Sequence, residues 1–235
     1  MSKFKEGVER LLQAGTDIVR TDDERNYLHV PTGQLLDRTT SWISGNAPFF
    51  LPPIWQGALP VGTAVDQACR DFFVEPEVMS PFRYMENIQE RAYQQLVGDL
   101  RKWEPNLQGW DVHADRVYFY SLELGVAGEV DLLLTNEETE EIWIIDFKTS
   151  RAGTKSFGKK YGGKASKQVK YRLQLNTYRH MAEELSGFPV NRISILPIKV
   201  FYEPFQATTS EAYFEPMMDV EILDPLEERK RVLSM

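Results

Sequence analysis

A single cysteine, Cys69, stands in 235 residues. One thiol excludes an internal disulfide framework and any zinc or iron–sulfur centre built from several cysteines of one chain. Long apolar runs are missing too: none approaches the ~20 residues that cross a bilayer. Residues 1–20 mix Lys3, Lys5 and Arg10 with Glu6, Glu9 and Asp17. A transit peptide avoids acids and a signal peptide needs an unbroken apolar stretch, so neither fits, and the cytoplasm is the expected setting. Positive charge is in deficit, with 35 acids against 27 basic residues and a net charge of −8. No internal repeat, low-complexity segment or long linker demands a second domain. With 42% apolar and 26% charged residues, the composition is that of a soluble globular chain with one sizeable core.

Chemistry concentrates between Gly128 and Tyr178. Gly128–Leu134 reads G-E-V-D-L-L-L; after an acidic turn, Ile142–Ser150 reads I-W-I-I-D-F-K-T-S. Residues two apart on a strand share a face, so Asp146 and Lys148 project together while Ile145 and Phe147 point into a core. Asp131 and Asp146 on neighbouring strand ends repel each other unless a divalent cation lies between them. Hard oxygen donors of this kind suit Mg²⁺ or Mn²⁺. A lysine beside them can orient a water or stabilise charge developing on a phosphate.

G-x-x-D, then an apolar run ending D-x-K fifteen residues later, then Q-x-x-x-Y on a helix, resembles the PD-(D/E)XK nuclease superfamily. The closest likeness within it is to the RecB-like and phage lambda-exonuclease-like branch. The resemblance implies an α/β, restriction-endonuclease-like core: a central mixed sheet flanked by helices, with N-terminal helical additions. It implies a DNA exonuclease of phage or bacterial recombination, repair or replication that leaves 5′-phosphate products. Asp131 and Asp146 would be Mg²⁺ ligands, with Mn²⁺ as a possible substitute, and Lys148 the catalytic lysine. Gln174 and Tyr178 would border the site and contact DNA. Ring-forming relatives leave a homo-oligomer, or a recombination or replication partner protein, open. The stretch Gly62–Phe73 resembles the branch's G-x-x-V-H helix motif, but Asp66 stands where the motif has His. Asp66 is then either a third oxygen ligand or an ordinary exposed residue on an amphipathic helix whose buried face is Val65, Ala68, Cys69 and Phe72.

Charge distribution tells more than the sum. Arg151, Lys155, Lys159, Lys160, Lys164, Lys167, Lys170 and Arg172 fall in one stretch without an acid. Directly after the D-x-K strand, such a strip can meet a phosphate backbone; a solvated loop is the plainer alternative. Arg151, Lys155, Lys159, Lys160 and Lys170 are the candidate DNA contacts there.

The remaining pattern divides residues 1–235 into a mainly helical part (1–110), a catalytic core (111–205) and an extension (206–235). Helical spacing runs from Phe4 to Val19. Asn26–Asp37 reads as a hairpin, where His29 is a structural residue sooner than a ligand. The Pro- and aromatic-rich stretch 47–60 reads as a packing loop. Pro81 opens a helical pattern reaching Trp103. Val117–Leu124 and Val126–Leu134 read as antiparallel strands turned at Gly125, with Asp115, Glu123 and Glu129 as further acids near the site. Lys167–Leu185 reads as a helix, Arg192–Tyr202 as a strand, and a charged helix starts at Pro225. Two rival readings stand beside the nuclease: a DNA-binding or structural module with a decayed site, and an unrelated scaffold sharing the pattern.

Overall fold

A computed structural model describes residues 2–21, 26–45, 58–77, 79–115, 117–158, 166–202 and 207–234. Two sheets form the frame. The N-terminal helix α1 (Lys3–Gln13) is capped by Ser2, whose hydroxyl accepts the Lys5 N–H at 3.1 Å. The helix stops earlier than its spacing predicts. Ile18 and Val19 leave it to form β1 (Ile18–Arg20), which pairs with β2 (Asn26–His29), itself paired with β3 (Gln34–Arg38). Backbone pairing across the hairpin outweighs a last helical turn. The short α2 (Thr39–Ile43) follows at once. Strands β5 (Val117–Ser121) and β6 (Val126–Val130) complete the first sheet, in order β1-β2-β3-β6-β5, with β3 parallel to β6.

The second sheet contains β4 (Asp111–His113), β7 (Leu132–Asn136), β8 (Glu141–Ser150), β9 (Arg192–Phe201) and β10 (Glu211–Phe214), in order β10-β9-β8-β7-β4. The two-residue β11 (Met218–Asp219) pairs with β9. Its centre is β8, antiparallel to β7 and parallel to β9. Trp143, Ile145 and Phe147 pack with helices α3 (Ala58–Val74) and α4 (Glu90–Trp103). Ile142 and Ile144 face the other way, toward α1 and α5 (Lys167–Ser186). Each such side chain contributes ~1.5–3 kcal/mol on burial, which fixes the register of β8 and therefore the face that carries Asp146 and Lys148. Helix α5 starts at Ser166, whose hydroxyl accepts the Val169 N–H, and ends at Gly187, whose φ of +77° is the left-handed turn glycine makes without strain. Helix α6 (Pro225–Leu233) packs on α5, with Asp224 capping it.

Two expectations need correcting. The run Val126–Leu134 is not one strand: β6 ends in the first sheet, Asp131 occupies a bend, and β7 begins in the second. Nor does Pro81 open a helix. Residues 81–83 make one 3-10 turn and α4 starts at Glu90, because the intervening backbone is claimed by a distant segment. Gln89 N–H donates to the Thr209 carbonyl at 2.9 Å, and Thr209 N–H to the Asn87 carbonyl at 2.8 Å. The stretch 47–57 lies outside the described residues. Among the described residues no helix is long and apolar enough to cross a membrane.

Candidate active site at the junction of the two sheets

Asp131 sits where the chain passes from one sheet to the other. Its Oδ2 accepts the Phe147 N–H at 2.7 Å, a bond to the residue between Asp146 and Lys148. The carboxylate is thus fastened to the centre of β8, while the Phe147 ring stays in the core behind. Asp146 is 2% exposed and forms an ion pair with the Lys148 ammonium. Burial first, then the negative charges of Asp66 and Asp146, push Asp131 well above the ordinary carboxylate range. For Lys148, burial works against the charge, but Asp146 and Asp131 outweigh it and hold the ammonium above the usual lysine value.

Asp66 joins this group from α3. It is half-buried rather than exposed. One oxygen lies 3.1 Å from Arg70; the other, Oδ1, is buried without a hydrogen-bond partner among the described residues. Burial raises Asp66 to about 6; Arg70 and Lys148 oppose the shift, and Asp146 and Glu129 add to it. Arg70 also pairs with Glu129 on β6, tying α3 to the first sheet. Among the described residues, no three His, Cys, Asp or Glu side chains converge tightly enough to hold an ion by themselves. A divalent ion of the Mg²⁺ type needs only one or two carboxylates, completed by water and substrate phosphate. The residues fit such an ion: hard oxygens, a buried Asp131 beside the charges of Asp66 and Asp146, and an orphaned Asp66 oxygen.

Helix α5 closes the other side. Gln174 donates its Nε2–H to the Tyr178 hydroxyl at 2.9 Å, and both are buried. They line a cavity of about 190 Å³ together with Asp66, Arg70 and Asp131; Arg20, Arg38, Thr39 and Thr40 of the N-terminal hairpin and α2 line it too. Gly128 explains itself here by space. A Cβ on it would lie 2.6 Å from Thr39 Oγ1 and 2.8 Å from Tyr178 Cε1.

The structure therefore brings together Asp66, Asp131, Asp146, Lys148, Gln174 and Tyr178. The basic strip is less uniform than its sequence. Lys155 is exposed and Lys170 half-buried, and neither lines the cavity. The Arg151 guanidinium lies 5.4 Å from the Phe201 ring centre, at the end of β9. Arg172 leaves the strip altogether: it pairs with buried Glu228 and with Glu221, joining α5 to the C-terminal segment. Lys159, Lys160 and Lys164 lie outside the described residues. Asp115 and Glu123 are exposed, and Glu123 sits in the turn at the opposite end of β6 from Asp131. His29 is structural, with Nδ1 2.8 Å from Thr32 Oγ1 and its ring 4.8 Å from that of Tyr120. Sequence reasoning missed Arg70, Arg20 and Arg38. Only Arg70 carries a local signal, four residues after Asp66.

Two sheets meeting at an aspartate, with a D-x-K strand at the junction, define an α/β fold of the restriction-endonuclease-like, nuclease type. The model of the PD-(D/E)XK nuclease superfamily matches residues 57–233, and the chain belongs to that superfamily. No curated protein matches it. Among solved structures, one described as the crystal structure of SSO0001 is similar over 83% of this chain and 81% of its own, at 11% identity and a TM-score of 0.29; a superposition that loose carries nothing further.

Proposed function

We propose that the chain is a metal-dependent deoxyribonuclease acting as an exonuclease, in the setting of phage or bacterial recombination, repair or replication. The observation that carries this reading is the link from Asp131 through the Phe147 N–H to the strand bearing Asp146 and Lys148. Asp131 and Asp146 would hold Mg²⁺, or Mn²⁺ in its place, with Asp66 as a third oxygen donor. The bound ion supplies polarisation of the phosphate and a more acidic water. Lys148 donates hydrogen bonds to the attacking water and to the phosphate oxygens as negative charge builds there. Arg70 holds Asp66 and Glu129 in place, and the Gln174–Tyr178 pair walls the cleft.

The exonuclease mode rests on the motif likeness to the RecB-like and phage lambda-exonuclease-like branch, and the open cavity beside Asp131 is where a phosphate group would enter. The test uses end-labelled linear and closed circular DNA, single- and double-stranded, with Mg²⁺, Mn²⁺ or chelator. Lys148→Ala and Asp146→Ala run alongside. Metal-dependent loss of linear DNA that spares circles and vanishes in both variants is the expected result. Cutting of circles would make the chain an endonuclease. Tight Mn²⁺ binding without any cleavage would favour the second reading, a binding module, to which the closed Asp146–Lys148 pair lends some weight.

A further inference from the structure

Tyr171 has no part in the reading above, yet its ring lies beside the Lys148 ammonium. The Nζ lies 5.3 Å from the ring centre, within the range over which a cation is attracted to an aromatic face. The ring is braced in turn. Phe157, 1% exposed, meets it edge to face at 5.2 Å and 84°. Phe157 itself is fixed at both backbone groups: its N–H donates to the Thr154 carbonyl at 3.0 Å, and its carbonyl accepts the Gln168 N–H at 2.9 Å. The turn behind it is locked by the Ser150–Ser156 hydroxyl contact at 2.7 Å and by Thr154 N–H donating to Glu215 at 2.6 Å. Among the described residues the Tyr171 hydroxyl has no hydrogen-bond partner, so the ring face is what it offers. Tyr171 also falls three residues before Gln174 and seven before Tyr178, on the helical stripe that faces the site.

We propose that Tyr171, braced by Phe157, is a positioning residue that keeps the Lys148 ammonium inside the site. This rests on the nuclease reading, which gives Lys148 its work. A lysine side chain has four rotatable bonds and a strongly hydrated head that swings readily toward solvent. In the structure both Asp146 and the Tyr171 ring lie against it. Were Asp146 to serve a cation, the Tyr171 ring would still hold the ammonium.

The experiment compares Tyr171→Phe, Tyr171→Leu and Phe157→Leu in the full chain. Single-turnover cleavage, DNA affinity and thermal stability are measured, together with an NMR spectrum of the lysine ammonium groups, in which the Lys148 signal is identified by its loss in Lys148→Ala. The ring-face role predicts near wild-type behaviour for Tyr171→Phe. Tyr171→Leu should lower the cleavage rate about tenfold, equivalent to ~1.4 kcal/mol, with DNA affinity unchanged and the Lys148 ammonium signal displaced or lost to exchange. Phe157→Leu should fall between. An unmoved Lys148 signal in Tyr171→Leu overturns the proposal. So does a loss in Tyr171→Phe equal to that in Tyr171→Leu, which would make the hydroxyl the working group. A fall in DNA affinity with the rate intact would make Tyr171 a DNA contact instead. If the wild-type chain cleaves nothing, the nuclease reading fails, while the ammonium signal still decides whether the ring holds Lys148.

Discussion

Gly128→Ala adds one methyl group to the floor of the cleft, and the structure says where it must go. The position needs room rather than an unusual backbone, since Gly128 is not among the glycines with positive φ. Its Cβ would come within 2.6 Å of Thr39 Oγ1, 2.8 Å of Tyr178 Cε1 and 3.3 Å of Thr39 Cβ. Neither neighbour can retreat cheaply. Thr39 is 1% exposed and donates its hydroxyl to the Ala127 carbonyl at 3.0 Å; Tyr178 is 4% exposed and held by Gln174. Overpacking of this kind costs ~1–3 kcal/mol, so about 2 kcal/mol is expected. At ~2–4 °C per kcal/mol for a chain of this size, the melting temperature falls roughly 4–8 °C. Thr39→Ala alone removes one hydrogen bond, about 1 kcal/mol, and also removes half of the obstruction. In the double variant the added methyl therefore has a partial refuge, and the combined loss should fall short of the sum by ~1 kcal/mol. Urea unfolding of the four proteins measures this directly. A Gly128→Ala chain as stable as wild type would refute the packing argument. Additivity within ~0.3–0.5 kcal/mol would show that Thr39 is not the obstacle.

Other outcomes follow from the same geometry. Mg²⁺ at one hundred times its dissociation constant should raise stability by about 2.7 kcal/mol, a gain that chelator reverses and that Asp131→Asn and Asp146→Asn lack; calorimetry with and without metal checks it. Asp66→Ala should lower cleavage at least tenfold if its orphaned oxygen serves the ion, whereas Asp66→His, which restores the motif residue, should retain activity; single-turnover assays decide. Arg172→Ala should cost ~2 kcal/mol in urea unfolding. That is below the 3–5 kcal/mol of a fully buried pair, because Arg231 also approaches Glu228, at 3.8 Å. Asn176→Ala strips partners from the Glu221 carbonyl and the Leu223 N–H, at about 2 kcal/mol, and limited proteolysis should then release the C-terminal segment first.

What could be read from the sequence is what local rules decide. The period of two along β8 put Asp146 and Lys148 on one face and Ile145 and Phe147 on the other, and the structure keeps that division. Helix spacing put Gln174 beside Tyr178, and the hydrogen bond between them confirms the spacing. The break at Asp131 was hidden because Val126–Leu134 is apolar on both sides of it; nothing in composition marks a change of sheet. The segment 84–89 was misread because its partners, residues 207–209, lie some 120 positions away. Arg20 and Arg38 gave no sign of their place in the cavity, since a hairpin's destination is a tertiary fact. Tyr171 was masked by the lysines around it. Arg172 looked like one more member of a basic strip until the fold supplied Glu228.

The bend at Asp131 also bears on when, during synthesis, the chain can first assemble its site. The aspartate belongs to neither sheet, so its carboxylate is placed only when both layers stand in their final relation. The strand carrying Asp146 and Lys148 completes its pairing with β9, which leaves the ribosome only after α5. A nascent or clipped chain that ends before residue 192 owns every acidic residue of the cluster and still lacks the frame that aligns them. On the nuclease reading, ribosome-stalled chains of increasing length, assayed for DNA cleavage, should stay silent until β9 has emerged.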